Sequence, residues 1–390
     1  MFLTREQEKI LAGEYGWARS KALEVIVKVG EALGAERLIE VEHAHVSGIS
    51  YTNIGDAGLE LVQDFYRGRA YARVYTTLNP GCVDLLSYSQ IVDNRYRDKQ
   101  LILNRYLEAM GFRPTYTCIP YLHRKPGPGE HLSWGESSAV IFANSLFGSR
   151  TNREGGPLAL SSAITGYTYY YGLHLLENRV VEVSIAVEAK NKCYGALGLW
   201  IGYNVKSIPM IRGVSNDISG LKLMLAASAA SGDHGLIVIE GVTPAKSYIV
   251  SDKVEKMYVE DRDLEEYIGV EPSENDKVLG YIGCPHLDPR EFFELVDKIR
   301  SRGKSAKRDR DLLVSIPAVY SNLFIDEIHE LKRYGVDVAV GTCPIVSKLR
   351  EKYDYLVTNS GKAAFYMSRL HGLNTYIASI DRVLEIVFGG

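Results

Sequence analysis

The sequence predicts an α/β protein in which parallel strands alternate with helices. The last third of the chain carries this signal most clearly, because short apolar segments alternate there with amphipathic segments of helical length. This alternation is typical of parallel sheets whose faces are covered by helices. The predicted strands are 276–284, 311–320, 336–343 and 353–362, and the helices between the first three are 289–303 and 324–335.

The N-terminal part shows the same alternation with less regular spacing. Thr4 and Gln7 form a capping-box pattern that predicts the start of a helix, and a second helix is predicted over 17–33. The later predictions, in chain order, are a strand near 37–42, a helix near 59–66, a strand over 72–81, a helix near 99–110 and a strand over 114–120.

Two polar, glycine-containing stretches interrupt this order. Residues 123–138 (HRKPGPGEHLSWGESS) place Pro and Gly close together, which predicts a long loop. Residues 147–156 (FGSRTNREGG) predict a turn, and a helix is predicted near 137–146 between the two. Long loops in enzymes often carry functional residues, although surface loops without such a role are equally common.

Length and composition limit the class of protein. The chain has 390 residues, of which 46% are hydrophobic, so 1–390 can form one catalytic subunit of two or three closely packed α/β units. A net charge of −3 predicts no basic surface for nucleic acid. No apolar run is long enough to span a bilayer, and the charged start MFLTREQEKI does not resemble a secretory signal. We therefore expect a cytoplasmic protein without nucleic-acid or membrane partners.

The five cysteines are odd in number and include no C-x-x-C pair, which argues against a disulfide framework or a zinc ribbon. Cys118, Cys284 and Cys343 each lie at the end of a predicted strand. Because ligands gather at the carboxyl ends of parallel strands, these three could converge on one iron–sulfur cluster. A lone cysteine is also commonly a small buried hydrophobic residue, and both interpretations stay open here. Cys82 and Cys193 lack this context and are predicted to be structural.

Several polar motifs also follow predicted strands. His43 and His45 would share one face of a strand, where hydrogen-bonded histidines are favoured over a metal pair. The segments SGIS (47–50) and LNPG (78–81) can be plain turns or substrate-binding loops. NSGK (359–362) predicts a helix start that can bind an anion, although it lacks the upstream glycine of a P-loop.

Taken together, these segments resemble the aconitase X family. The matching segments are collinear and cover nearly the whole chain: EHAHVSGISYTNIGDAGLE, TYTCIPY, WGESSAVIFANSLFGSRTNREGG, IEGVTPA, GCPHL, GTCP and TNSGKAAFY. The resemblance implies an aconitase-like catalytic core of parallel α/β layers, with an iron–sulfur cluster held by Cys118, Cys284 and Cys343. The implied cluster is a 4Fe–4S cubane with one iron lacking a protein ligand, which can act as a Lewis acid.

The resemblance also implies a partner and a substrate. The catalytic base belongs to a swivelling domain on a separate small subunit, and we expect no such domain here because the chain ends soon after its last predicted helix. The archaeal branch of the family dehydrates mevalonate 5-phosphate in isoprenoid biosynthesis, whereas bacterial relatives act on hydroxyproline. The implied substrate-binding positions are Gly48, Ile49, Ser50, Asn79, Pro80, Asn144, Ser145 and Lys362. A non-catalytic electron carrier or scaffold is the alternative of another class.

Overall fold

The computed structural model describes residues 1–190 and 193–389, and its strands form three parallel sheets and two antiparallel pairs, with helices packed on the parallel sheets. The strands are β1 Leu38–Glu40, β2 His43–Val46, β3 Tyr75–Leu78, β4 Val92–Asp93, β5 Leu132–Trp134, β6 Tyr167–Tyr169, β7 Val180–Val187, β8 Ile208–Arg212, β9 Val238–Ile239, β10 Ile249–Val259, β11 Val278–Ile282, β12 Arg310–Ile316, β13 Val336–Val340, β14 Lys348–Leu349, β15 Tyr355–Thr358 and β16 Asn374–Ile377. The antiparallel pairs are β1-β6 and β14-β4.

Helices account for most of the remaining regular structure. They are α1 Arg5–Leu11, α2 Trp17–Leu33, α3 Tyr51–Arg67, α4 Arg97–Ala109, α5 Ser137–Phe142, α6 Gly156–Thr165, α7 Tyr194–Asn204, α8 Ile218–Ser231, α9 Asp261–Ile268, α10 Pro289–Arg302, α11 Tyr320–Leu323, α12 Ile325–Arg333, α13 Gly361–His371 and α14 Ile380–Phe388. A π-helical turn, Ala143–Phe147, continues α5. Among the described residues, none of these helices is long and apolar enough to cross a membrane.

The C-terminal sheet, which is the third parallel sheet in chain order and is called the third sheet below, has five strands ordered β13-β12-β11-β15-β16. The strands β11, β13 and β15 lie within the segments predicted as strands, β12 starts one residue before its predicted segment, and α10 and α12 lie within the predicted helices. Asp288 caps α10 through a capping box with Glu291, and Pro289 occupies its first turn, where its missing N–H costs nothing. The predicted parallel α/β layering is therefore confirmed in this region.

Two smaller parallel sheets precede it in the chain. The first is ordered β3-β2-β5, and all four residues of β2 are buried. The second is ordered β10-β7-β8-β9 and packs with the helix pair α7 and α8. These helices approach closely because Gly198 has no side chain: a Cβ there would overlap the carbonyl of Met224.

Two sequence predictions are wrong. The proposed loop 123–138 contains β5, because Leu132 and Trp134 are fully buried and their strand pairs with β2. The proposed strand 114–120 is irregular: Arg113 makes one bridge to Thr77, and Tyr116 then takes a positive φ of 38°, which breaks an extended chain. Cys118 therefore follows an irregular segment instead of a strand.

The first and third sheets meet at their carboxyl ends. The N–H of Gly81, after β3, donates to the carbonyl of Gly341, after β13, at 3.0 Å. The Thr342 hydroxyl donates to the Gly81 carbonyl at 2.5 Å. Two sets of strand ends are thereby held against each other, and the loops that follow these strands share one region of the molecule.

Candidate active site

Three cysteines lie in this region. Cys284 follows β11 and Cys343 follows β13, and they are 5% and 9% exposed within one buried cluster. Cys118 is half-buried, and its Sγ accepts a hydrogen bond from the backbone N–H of His286 at 3.2 Å. Burial raises the pKa of Tyr281 well above its usual value, and the Cys343, Cys284 and Cys118 thiols raise it further. Cys284 and Cys343 therefore share one buried cluster, and Cys118 is hydrogen-bonded to the loop that carries Cys284.

The surroundings of these sulfurs fit a role as thiolate ligands. Burial raises the pKa of Cys284 to about 12, and it also raises the pKa of Cys118 and of Cys343. Each sulfur nevertheless has a hydrogen-bond donor that favours the thiolate: the His286 N–H for Cys118, the Ser360 side chain for Cys284, and the Ile345 and Val346 N–H groups for Cys343. Hydrogen bonds to sulfur are a general feature of iron–sulfur sites.

The described chain holds no group of three His, Cys, Asp or Glu side chains around a single metal ion. A cubane cluster is larger than an ion, so its cysteine ligands need not converge on one point. The other two cysteines make different contacts. The Cys82 thiol donates to Gln100 Oε1 at 3.0 Å, and Cys193 lies at the N-cap of α7.

A buried ion pair lies beside the three thiols. Lys362, in the first turn of α13, pairs its Nζ with the carboxylate of Glu136, which follows β5. Burial raises the pKa of Glu136, but the charge and hydrogen bond of Lys362 outweigh it and lower that pKa to about 2. Burial likewise lowers the pKa of Lys362, and Glu136 more than reverses this. Both groups are therefore charged at neutral pH.

Glu136 also connects to a chain of buried polar groups. Asn79 Nδ2 donates to its carboxylate at 3.3 Å, and Asn79 Oδ1 lies 3.2 Å from His45 Nε2. The Thr77 hydroxyl lies 2.8 Å from both His45 Nδ1 and His43 Nε2. Burial lowers the pKa of both histidines, so they are neutral hydrogen-bonding groups. This arrangement agrees with hydrogen-bonded histidines rather than a metal pair, and it fixes the orientation of Asn79.

The loop after β2 contributes Gly48, Ile49 and Ser50. Gly48 is exposed and has a φ of +76°, a conformation that favours glycine. Ser50 is the N-cap residue of α3 and is 2% exposed. Its hydroxyl has no hydrogen-bond partner among the described residues. On the neighbouring strand, Pro80 is buried next to Asn79.

A cleft of about 540 Å³ opens between the second and third sheets. It reaches Cys284 and Asn359 between helices α7, α8, α10 and α14, but it does not reach Cys118, Cys343 or Lys362. The convergence of thiols and charged groups, rather than this cleft, defines the candidate site.

Family models and related proteins show the family of the chain. Models of the aconitase X first, second and third domains match residues 1–177, 178–269 and 278–389. A phosphomevalonate dehydratase large subunit from Thermococcus kodakarensis is 40% identical, with 99% of each chain covered. The chain belongs to the aconitase X family.

Other family members match over the same length. The phosphomevalonate dehydratase large subunit of Aeropyrum pernix is 38% identical over 99% of this chain and 100% of its own. A cis-3-hydroxy-L-proline dehydratase from Pseudomonas aeruginosa is 29% identical over 98% of this chain and 69% of its own. A crystal structure of aconitase X from Thermococcus kodakaraensis, described as the holo form, has 37% identity and a TM-score of 0.89 over 99% of both chains. The predicted aconitase-like fold is thereby confirmed.

Within this aconitase X fold, the side chains of Asn144 and Ser145 form hydrogen bonds with protein groups other than the thiols and Lys362. These two residues belong to the π-helical turn after α5, about 10 Å along the axis from Ser137 at the start of that helix. Asn144 Nδ2 donates to the carbonyls of Thr151 and Gly235, and Ser145 Oγ accepts from the N–H of Ile237 at 3.0 Å. Both are fully buried, and contact with substrate remains a prediction for them.

Two residues of the site were missed by sequence reasoning. Glu136 lies in WGESS, a segment that carries the resemblance but that its Pro- and Gly-containing context predicts to be a loop. His286 lies in GCPHL, in which the strand-end pattern points to the cysteine alone. The apolar positions Leu132 and Trp134, alternating with Ser133, were the signal that could have revealed a strand leading to Glu136.

Proposed function

We propose that this chain is the large, catalytic subunit of a hydro-lyase that dehydrates mevalonate 5-phosphate to anhydromevalonate 5-phosphate in isoprenoid biosynthesis. The observation that carries the proposal is full-length similarity, at 34–40% identity, to five proteins named phosphomevalonate dehydratase large subunit. The two hydroxyproline dehydratases are 29% identical. Hydroxyproline is therefore the second candidate substrate.

The proposed cofactor is a 4Fe–4S cluster held by Cys118, Cys284 and Cys343, with one iron lacking a protein ligand. Three free thiols at one edge of the fold, each with a hydrogen-bond donor, support this assignment. When bound, such a cluster supplies Lewis-acid chemistry to a substrate hydroxyl and carboxylate. The charged pair of Lys362 and Glu136 beside the thiols favours a catalytic site over an electron carrier, which needs no charged pair to hold a substrate.

Lys362 is proposed to bind an anionic group of the substrate. Its ammonium contacts Glu136 and lies 3.2 Å and 3.5 Å from the hydroxyls of Ser137 and Ser138. A substrate anion would therefore share an ammonium that Glu136 keeps charged and oriented. Charge-assisted hydrogen bonds of this kind are among the strong ones in proteins.

The loops after β2 and β3 are proposed to line the substrate. Gly48, Ile49 and Ser50 follow β2, and Asn79 and Pro80 follow its parallel neighbour β3. The Ser50 hydroxyl is available for a ligand, and Asn79 is held by Glu136 and His45. Asn144 and Ser145 remain candidates for orienting the substrate, although their hydrogen bonds in the structure go to protein groups.

Dehydration requires loss of a proton from the carbon between the carboxylate and the hydroxyl-bearing carbon, together with departure of the hydroxyl. A proton transfer of this kind needs a positioned base. We propose that this base lies on a small swivelling-domain subunit that forms a heterodimer with this chain, and that no catalytic base is present in residues 1–390. The relatives' name, large subunit, supports a smaller partner.

We also propose that the protein works in the cytoplasm, as one large subunit of two or three packed α/β units. The described chain carries five free thiols and no disulfide, which suits a reducing compartment.

The test is an assay of the chain with and without the small subunit. We expect no turnover by this chain alone, and dehydration of mevalonate 5-phosphate after the small subunit is added. Full turnover without it would contradict the two-subunit proposal. Dehydration of hydroxyproline but not of mevalonate 5-phosphate would reverse the choice of substrate.

A further inference from the structure

His286 contacts all three cysteine-bearing segments. It lies two residues after Cys284 on the same loop. Its backbone N–H donates to Cys118 Sγ at 3.2 Å, and its ring Nε2 lies 3.2 Å from the carbonyl oxygen of Thr342, which precedes Cys343. Since a carbonyl only accepts, Nε2 must carry the hydrogen. One side chain and its own peptide group thus join three segments that are distant in sequence.

A fourth segment, the helix that carries Lys222, also holds His286 in position. Lys222 Nζ donates to the His286 carbonyl at 3.2 Å and forms a buried ion pair with Glu291. His286 is fully buried, and its Nδ1 has no hydrogen-bond partner among the described residues. The ring therefore has one directed hydrogen bond, to the Cys343 segment, and little freedom to turn away from it.

We propose that His286 is a positioning residue that sets the spacing of Cys118, Cys284 and Cys343 and thereby the lifetime of the cluster bound to them. This inference rests on the proposed iron–sulfur site. Groups that orient metal ligands without touching the metal commonly change metal affinity by 10- to 100-fold when removed. Loss of the Nε2 hydrogen bond would free the Cys343 segment while leaving all three thiols present.

The experiment compares His286→Leu with His286→Gln. A glutamine side-chain amide can place an N–H donor near the position of the histidine Nε2, whereas leucine provides none. His234→Leu is the matched control, because His234 is also buried, with Nδ1 bonded to Ser228 and Nε2 without a partner among the described residues. Each protein is purified without oxygen, and its iron content and the decay of its visible charge-transfer absorption in air are measured.

We expect the cluster of His286→Leu to decay roughly tenfold faster than that of the wild type, and the clusters of His286→Gln and His234→Leu to decay at nearly the wild-type rate. The melting temperature of each metal-free protein shows whether the fold is intact. Equal decay in His286→Leu and wild type would overturn the inference. If His286→Leu does not fold, His286→Ala, which also lacks the donor, is measured in its place, and decay at the wild-type rate in that variant would overturn the inference. Absence of iron from the wild type would contradict the proposed function, which is a separate outcome.

Discussion

Lys362 and Glu136 form a buried ion pair although they are 226 residues apart in the chain. Lys362 follows β15 of the third sheet, and Glu136 follows β5 of the first sheet. Their side chains are 7% and 14% exposed. The pair therefore joins the carboxyl ends of two sheets.

The first prediction concerns the stability of this pair. Glu136→Gln leaves the buried Lys362 ammonium without its counter-charge, so the free energy of unfolding should fall by about 3 kcal/mol. Urea unfolding of the metal-free protein measures this loss. Glu24→Gln is the control: it breaks solvent-exposed pairs with Lys21 and Lys28 and should have a much smaller effect. Equal losses in the two variants would contradict a special role for the buried pair.

The second prediction concerns the role of Lys362 in turnover. Lys362→Ala should reduce kcat/KM of the reconstituted enzyme by at least about tenfold, equivalent to roughly 1.4 kcal/mol of transition-state binding, because a substrate anion loses its cationic partner. The exposed Lys304→Ala serves as the control. If Lys362→Ala stays within about threefold of wild type, Lys362 does not bind the substrate.

The third prediction is a pH dependence that arises from Glu154, which is not among the proposed cluster or substrate residues. Burial raises the pKa of Glu154 from 4.5 to about 7, with the Tyr169 hydroxyl donating to its carboxylate at 2.9 Å. Because the folded-state pKa is the higher one, this group stabilises the fold fully below pH 4.5 and loses its contribution as pH rises through about 7. The contribution is of the order of 3 kcal/mol.

Urea unfolding of metal-free wild type and Glu154→Gln between pH 5 and about 8 measures this effect. The stability of the wild type relative to the variant should decline across the range, because glutamine does not titrate. A constant difference between the two proteins would show that Glu154 does not titrate there.

The fourth prediction concerns the turn before Cys284. Gly283 has a φ of +114°, and a Cβ there would overlap the carbonyl oxygen of Ser315. Gly283→Ala should therefore lower both the free energy of unfolding and the bound iron. Gly303→Ala is the control: its φ is +60°, it has open space, and it should cost only about 1–2 kcal/mol. Normal iron binding by Gly283→Ala would show that this turn does not position Cys284.

The sequence allowed the third sheet to be predicted because its signals are local. Apolar strand segments alternate with helices that have their own caps, such as Asp288 and Pro289 for α10. Cys284 and Cys343 could be placed at the same edge because parallel strands present their carboxyl ends together. The capping box of Thr4 and Gln7 was likewise a local pattern, and the structure contains it.

The features that the sequence did not predict depend on contacts between distant parts of the chain. No local sequence pattern around Glu136 or Lys362 indicates that the two residues form a pair. β5 is only three residues long and lies in a polar, proline-containing stretch, so burial against β2 rather than local propensity makes it a strand. The segment before Cys118 is irregular because Tyr116 has a positive φ, and no local sequence pattern predicts that φ.

The most direct test of the account is the iron content of five cysteine-to-alanine variants, purified without oxygen beside the wild type. We predict that Cys118→Ala, Cys284→Ala and Cys343→Ala lose most of the iron and the visible charge-transfer absorption, because thiolate ligands are needed to hold the cluster. Cys82→Ala and Cys193→Ala should retain both, since the Cys82 thiol donates to Gln100 and Cys193 packs against an apolar core cluster. Iron retained at the wild-type level in Cys284→Ala would contradict the proposed site.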